Sequence, residues 1–424
     1  MNSTVFPAWC RWFSVFLALN LFLITGLALG GCSRTTLNSN AASTSQLVLA
    51  DISDPKTFNY VLKSEFPNVF PFTFEGLTTV NESTGTIEPA LAQSWESFDN
   101  NQRWVFTLRE GLKWSDGMPL TVDDVIFTYQ EIVFNPAIAT DLKDVLKIGS
   151  SRAFPKIRKL DERRVEFTLP EPFAPFLRTT SGPQDGVVIL PKHILQKSVL
   201  SKDANGNPLF ASTWGTDTPP EKIVVNGAYR IVSYAPSQRI ILERNPYYWR
   251  RDSQGNPQPY IQRIVWQIVE STDTALLQFR SGGLDMTDGW GRMPPENFGL
   301  LKREEKRGKF QIYMAGSRPG TTFISFNLNK GRRNGRPLVD PIKSRWFNSV
   351  EFRQAIAYAL DRQRTINNSL QGLGELQNSP ISVQSPYYLS PKEGLKVYDY
   401  NPESAKELLA KAGFNYNERG ELLD

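Results

Sequence analysis

The chain has 424 residues, more than one ordinary core fills and enough for two or three domains. It is 40% hydrophobic and 21% charged, which excludes wholesale disorder, and its net charge of +5 is too mild and scattered for a nucleic-acid surface. With one histidine and two cysteines, HExxH zinc sites and Cys/His metal clusters are excluded, and no metal or cofactor is expected.

Residues 1–31 contain a single charged side chain, Arg11. An apolar run over 12–29 follows, broken only by Ser14, Asn20, Thr25 and Gly26, and closes on Leu29-Gly30-Gly31-Cys32. A short cationic start, an apolar stretch and small residues before a cut site describe an export signal. A cysteine directly after them resembles the bacterial lipoprotein signal, with cleavage after Gly31 and a lipid on Cys32. An uncleaved membrane anchor is the alternative, since the run nearly spans a bilayer. Residues 32–46, rich in Ser, Thr, Asn and Ala without apolar periodicity, read as a flexible tether. Cys10 would leave with the signal, so the exported body has no disulfide.

The body opens with a strand-like stretch at 47–52, LVLADI. Ser53 and Lys56 fit the SxxK spacing of penicillin-recognising enzymes, but neither SDN nor KTG follows, so a chance match is the better reading. Trp104, Phe106 and Leu108 share one face of a half-buried strand, and 159–169 forms a second after a charged turn. Ser115-Asp116-Gly117 is a turn signal. Thr121 then precedes Val122, Val125, Ile126, Tyr129, Ile132 and Val133, the stripe of an amphipathic helix. The adjacent carboxylates Asp123 and Asp124 invite a catalytic reading. Thr121 is a natural N-cap, however, and Asp124 sits where a capping-box acid sits. Both acids fall in the first turn, where the helix dipole favours negative charge, and neighbours on a helix point about 100° apart. These acids start a helix.

His193, in VVILPKHIL, falls between a strand end and a helix start. It reads as a packing or surface histidine rather than a member of a Ser-His-Asp triad. Residues 227–249 and 261–272 are strand-rich, and 274–290 begin as a short helix and end in a Gly-rich turn. The mixed-sign stretch 302–309 reads as an exposed helix face or turn, and GRRNGR at 331–336 as a solvated basic loop. FISFNL at 323–328 is a strand. Residues 352–364 form an amphipathic helix with Phe352, Ile356, Ala359 and Leu360 inward, and 402–413 a short helix with Pro in its first turn and Gly at its end. There is no P-loop, and Gly372-Leu373-Gly374 begins a GxGxxG that fails at Gln377.

Several of these stretches, taken in order, resemble the family 5 extracellular solute-binding proteins, the oligopeptide and dipeptide receptors of ABC importers. They are FEGLTTVNESTGTIEPALAQSWE, FTLREGLKWSDGMPLTVDDVIFTY, NGAYRIVSYAPSQRIILERNPYYW, FRSGGLDM, ISFNL with FRQAIAYALDR, and AKELLAKAGF. The resemblance implies an α/β, two-lobed fold of the periplasmic-binding-protein type (type II), with mixed sheets and flanking helices. The first lobe would hold a main domain at 46–78 and 185–316 and a smaller one at 79–184, and the second lobe would occupy 317–424. Family members continue past the AGF segment, so the second lobe is expected to be incomplete, with uncovered strand edges and apolar surface and poor solubility. The acidic residue that pairs with a peptide's amino terminus would lie in that further part.

The function implied is a receptor that captures oligopeptides in a cleft between the lobes and delivers them, unchanged, to a permease driven by a partner ATPase. The expected state is a monomer anchored by lipid to a membrane of the cell envelope, in the periplasm or at the cell surface, with no nucleic-acid partner. Gly289 and Trp290 are candidates for the cleft mouth, the indole being either a flat apolar wall or a buried anchor of its own turn. Arg318 and Asn327 would lie near the crossing between lobes, and Ser181 and Gly182 at the cleft edge. Alternatives are a same-fold receptor for a nickel chelate, glutathione or an oligosaccharide, a sensory lipoprotein without transport, and a surface-tethered hydrolase. The single histidine and the lack of a GxSxG elbow weigh against the last.

Overall fold

A computed structural model describes residues 45–62, 69–81, 84–287, 294–313, 321–383, 385 and 387–424. The expected export signal, with Gly31 and Cys32, lies outside the described residues, as do the cleft candidates Gly289, Trp290 and Arg318. The described residues divide into two compact units, one running to Val80 and from Ile87 to Thr287, the other drawn from Asn81–Thr86 and Asp288–Asp424.

In the first unit the strands are β1 (Gln46–Asp51), β2 (Thr78–Val80), β3 (Ile87–Pro89), β4 (Ala92–Phe98) and β5 (Arg103–Leu108). They continue as β6 (Lys156–Lys159), β7 (Arg164–Thr168), β8 (Tyr229–Ala235), β9 (Arg239–Arg244) and β10 (Arg263–Ile268). Two four-stranded sheets result, β4-β5-β7-β6 and β1-β10-β9-β8, beside a β2-β3 ribbon. The first sheet is antiparallel throughout, whereas the second pairs β1 in parallel with β10. Helices α1 (Val122–Ile126), α2 (Lys192–Leu200) and α3 (Thr272–Arg280) belong to the same unit.

The alternation expected at 104–108 is met: Trp104, Phe106 and Leu108 are buried, and the residues between them less so. Their face seeds an aromatic core. Phe106 meets Phe167 of β7 edge-on at 5.6 Å, and Phe167 meets Tyr129 at 5.0 Å and Phe176 at 5.5 Å. Pairs of this kind add roughly 0.5–1.5 kcal/mol each beyond area burial. The strand expected at 159–169 is β7, preceded by a turn in which Asp161 Oδ1 accepts from the Arg163 and Arg164 N–H groups at 2.9 and 2.8 Å. Thr121 caps α1 as expected: its hydroxyl accepts from Asp123 N–H at 3.3 Å, and Asp124 Oδ2 accepts from Thr121 N–H at 2.9 Å. Past Ile126 the helix widens into π-helical turns over Phe127–Val133, which keep Tyr129, Ile132 and Val133 buried.

The second unit contains α4 (Phe298–Gly308), α5 (Pro341–Asn348), α6 (Val350–Ala359), α7 (Arg362–Ser369) and α8 (Pro402–Lys411). Helices α6 and α8 pack together, with Ala355 and Ala405 buried and Phe352 stacked on Phe414 at 5.6 Å. The basic stretch expected to be a loop forms an exposed two-stranded hairpin, Arg332–Arg333 with Arg336–Pro337, that turns on Asn334 and Gly335, both at positive φ (50° and 77°). That is the backbone an Asn-Gly pair favours.

Two other sequence expectations fail in this unit. Residues 323–328 form no strand, and Phe323 is 75% exposed and Ile324 60%. Only Phe326 finds ring partners, Phe347 at 5.3 Å and Phe352 at 5.9 Å. A strand exists only as part of a ladder, and among the described residues no other strand runs beside this one. The helix expected over 352–364 is two helices. Leu360 is extended (ψ 110°), and Asp361 caps α7 by accepting from Arg364 N–H at 2.9 Å. The short carboxylate offers the backbone a turn instead of a continuing helix, so Ala359 and Leu360 are exposed rather than inward.

Candidate functional site

Four segments of the first unit meet at Glu75: the stretch 73–78, the turn 179–189, the pair Asn226-Gly227, and the aromatics that follow β9. Backbones approach so closely here that side chains are excluded. A Cβ on Gly76 would lie 2.3 Å from the Gly182 nitrogen and 2.5 Å from the Thr180 oxygen, and one on Gly227 would lie 2.4 Å from the Thr73 carbonyl carbon. Asn226, 2% exposed, links the segments: its Oδ1 accepts from Glu75 N–H at 2.8 Å, and its Nδ2 donates to Ile189 O at 3.2 Å. Ile189 N–H returns a bond to Glu75 O at 3.0 Å.

The Glu75 carboxylate completes the junction. Tyr248 Oη–H donates to Oε1 at 2.5 Å and Trp249 Nε1–H to Oε2 at 2.6 Å. The Arg109 guanidinium lies 3.8 Å from the centroid of a Trp249 ring and donates through Nε to Ala90 O at 2.6 Å, while Arg250 stands 5.1 Å over the same side chain. Burial pushes the Glu75 carboxyl above its ordinary range, and the bonds from Tyr248 and Trp249 and the charges of Arg250 and Arg109 pull part of the way back. Burial also raises the Tyr248 phenol, helped by the facing carboxylate, so it stays protonated and keeps donating. Both carboxylate oxygens are thus engaged by neutral donors. What this arrangement does chemically is clamp the segments that carry Gly76, Ser181 and Gly182.

Ser181 and Gly182 lie inside that clamp. Ser181 is 3% exposed, bridges to Thr78 and donates its hydroxyl to Arg178 O at 2.6 Å. Gly182 has φ +45° and faces Gly76. Asn327, in the second unit, is exposed, and its Oδ1 accepts from Asn329 N–H at 3.1 Å. The acid pair of α1 is occupied structurally. Asp124 is buried and also accepts from Lys192 N–H at 2.9 Å, tying the starts of α1 and α2, while Asp123 pairs with Lys159 at 3.1 Å. His193 Nε2 lies 2.7 Å from Asp116 Oδ2, and its ring is 6.3 Å from Trp114. The neighbouring Ser115 hydroxyl accepts from Val225 N–H at 3.0 Å.

Sequence reading missed Glu75, Arg109, Tyr248 and Trp249. The signal available was a lone carboxylate between Phe74 and Gly76, in a stretch otherwise apolar enough to be core. A charge in such a place requires distant donors.

Comparison with known proteins supplies what the geometry alone does not. The family model described as "Bacterial extracellular solute-binding proteins, family 5 Middle" matches residues 86–423. The chain is 30% identical over 372 residues to the "Probable ABC transporter-binding protein" of Deinococcus radiodurans, covering 86% of this chain and 59% of that protein. It is also 30% identical over 369 residues to the "Periplasmic oligopeptide-binding protein OppA" of Salmonella typhimurium, covering 82% and 58% respectively. The chain therefore spans less than two thirds of the length of these relatives. Among solved structures, its fold is similar to that of the oligopeptide-binding protein AppA from Bacillus subtilis in complex with a nonapeptide, with a TM-score of 0.63, 22% identity, and coverage of 89% of this chain and 66% of that one.

Proposed function

The chain belongs to the bacterial extracellular solute-binding proteins of family 5, and on that footing we propose that it is the substrate-binding component of an ABC importer. Its cargo is oligopeptides, which it binds reversibly and hands to a permease and its ATPase without breaking a bond. The observation that carries this reading is the match over 86–423, which reaches across most of both compact units rather than one motif. The positions of the paired acids and of His193 agree with it: each is bound to a neighbouring structural group.

The reading extends to the envelope. Cys32 carries a lipid after cleavage behind Gly31, and the monomeric body acts from the membrane in the periplasm or at the cell surface. The proposed lobes keep the limits read from sequence, with 46–78 and 185–316 as the main domain of the first, 79–184 as its smaller domain, and 317–424 in the second, although the compact units divide at Thr287 instead. Gly289, Trp290, Arg318 and Asn327 are the positions proposed to meet cargo, with Ser181 and Gly182 proposed for the cleft edge.

Titration calorimetry of the full chain against a mixed oligopeptide pool, with Ni(II) and a tetrasaccharide as controls, tests the cargo. Heat from peptides alone is the expected result, and heat only from nickel or sugar would replace the cargo class. Incorporation of a fatty-acid probe that is lost in Cys32→Ser is the expected result for the anchor, and incorporation elsewhere or nowhere would refute it.

A further inference from the structure

The chain contains three Asn-Gly pairs, Asn205-Gly206, Asn226-Gly227 and Asn334-Gly335. Such a pair carries a latent reaction, because glycine has no side chain to keep its nitrogen away from the asparagine side-chain carbonyl. The three stand in different surroundings, and those surroundings set which of them reacts.

Asn226-Gly227 belongs to the Glu75 junction and is buried. Its side-chain amide is held at both ends, with Oδ1 accepting from Glu75 N–H at 2.8 Å and Nδ2 donating to Ile189 O at 3.2 Å, and Gly227 N–H is tied to Thr73 O at 2.8 Å. Asn205-Gly206 is exposed but fastened. Gly206 N–H donates to Asp203 O at 3.0 Å, and the Asp203 carboxylate accepts from the Asn205 and Asn207 N–H groups at 2.8 and 2.9 Å. A carboxylate so close opposes ionisation of the Gly206 nitrogen.

At Asn334-Gly335 neither the asparagine side chain nor the glycine N–H has a hydrogen-bond partner among the described residues. The hairpin beneath them is exposed, its strands are two residues each, and Pro337 brings no N–H to the ladder. A ladder this short is marginal in water, so little free energy separates the closed turn from an open one. Charge acts in the same direction. Arg333 and Arg336 face each other across the ladder, Arg332 Nη1 donates to Gly335 O at 2.9 Å, and no carboxylate pairs with any of the three among the described residues. Cations in that position stabilise an ionised Gly335 nitrogen.

We propose that Asn334 is a site of spontaneous hydrolytic modification. From the open turn, the Gly335 nitrogen gives up its proton and attacks Asn334 Cγ. The new N–Cγ bond closes a five-membered succinimide, the Cγ–Nδ2 bond breaks, and Nδ2 leaves with the proton as ammonia. Water then opens the ring at either carbonyl, leaving aspartate or isoaspartate at position 334. Water is the co-reactant, and nothing is oxidised or reduced. Either product places a carboxylate beside Arg333 and Arg336, whose like charges otherwise oppose each other across the ladder. This site goes beyond the cargo reading and does not rest on it.

Peptide mapping by mass spectrometry tests the assignment, on the full chain held at mildly alkaline pH in heavy-oxygen water, with a parallel sample in concentrated urea. All three pairs are read in one sample. In the folded chain, conversion at Asn334 is expected to outpace Asn205 about five-fold, the effect of one net hydrogen bond. It should outpace Asn226 by more than about a hundred-fold, because that pair reacts only when the core opens. Heavy oxygen should enter at position 334, with the aspartate and isoaspartate peptides eluting separately. In urea the three rates should converge, which assigns the difference to the fold. Faster conversion at Asn205 or Asn226, equal rates in the folded chain, or an Asn334 that reacts in urea and stays intact when folded overturns the proposal.

Discussion

Phe167 and Phe323 are the same residue type in stretches with the same strand-like pattern, one in each compact unit. Phe167 is fully buried among Phe106, Tyr129 and Phe176, whereas Phe323 is 75% exposed. The side chains do not account for the difference; the neighbours do. Strand β7 lies between β5 and β6, while 323–328 has no strand alongside it among the described residues. A period-two pattern selects a face to bury, but only a ladder and a facing layer bury it.

The largest expected effect lies on the first side of this contrast. Phe167→Ala should destabilise the first unit by about 4 kcal/mol, through lost burial and a residual cavity, as read from urea unfolding. A loss below about 1 kcal/mol would mean that the aromatic core is not close-packed.

The Glu75 junction sharpens the contrast next. Burial raises this carboxyl in the folded state, so the folded chain binds its proton more readily than the unfolded chain does. Its contribution is fully present below the ordinary glutamate value of 4.5 and is lost as pH rises through the higher folded value. Glu75→Gln should therefore flatten that fall, while costing about 1–2 kcal/mol at neutral pH because one of the two donors, Tyr248 or Trp249, then faces an NH2 group. Unfolding curves at several pH values with unchanged slope would contradict the assigned direction.

Phe323→Ser, on the exposed side, should change stability by less than about 0.5 kcal/mol. A loss of 2 kcal/mol or more would show that 323–328 is packed in solution, and would dissolve the contrast between the units.

What the sequence revealed follows the same logic. The faces of Trp104, Phe106 and Leu108 and the Thr121–Asp124 cap were legible because their causes are local, an alternation and a three-residue reach. The break at Leu360 was not, because the apolar stripe runs on through a position where Asp361 starts a new helix. Glu75 draws its meaning from Tyr248 and Trp249, 173 and 174 residues away, and no window of sequence holds both ends. The cleft candidates came only through resemblance: Ser181 and Gly182 are buried, Asn327 is exposed, and Gly289, Trp290 and Arg318 fall outside the described residues.

The central claim is reversible capture of oligopeptides. Its most direct test is mass spectrometry of molecules released by mild denaturation after the full chain has been incubated with a defined peptide pool and washed. The account expects a subset of the peptides, recovered with their masses unchanged. Recovery of no peptide, or of fragments cut from the pool, would contradict it.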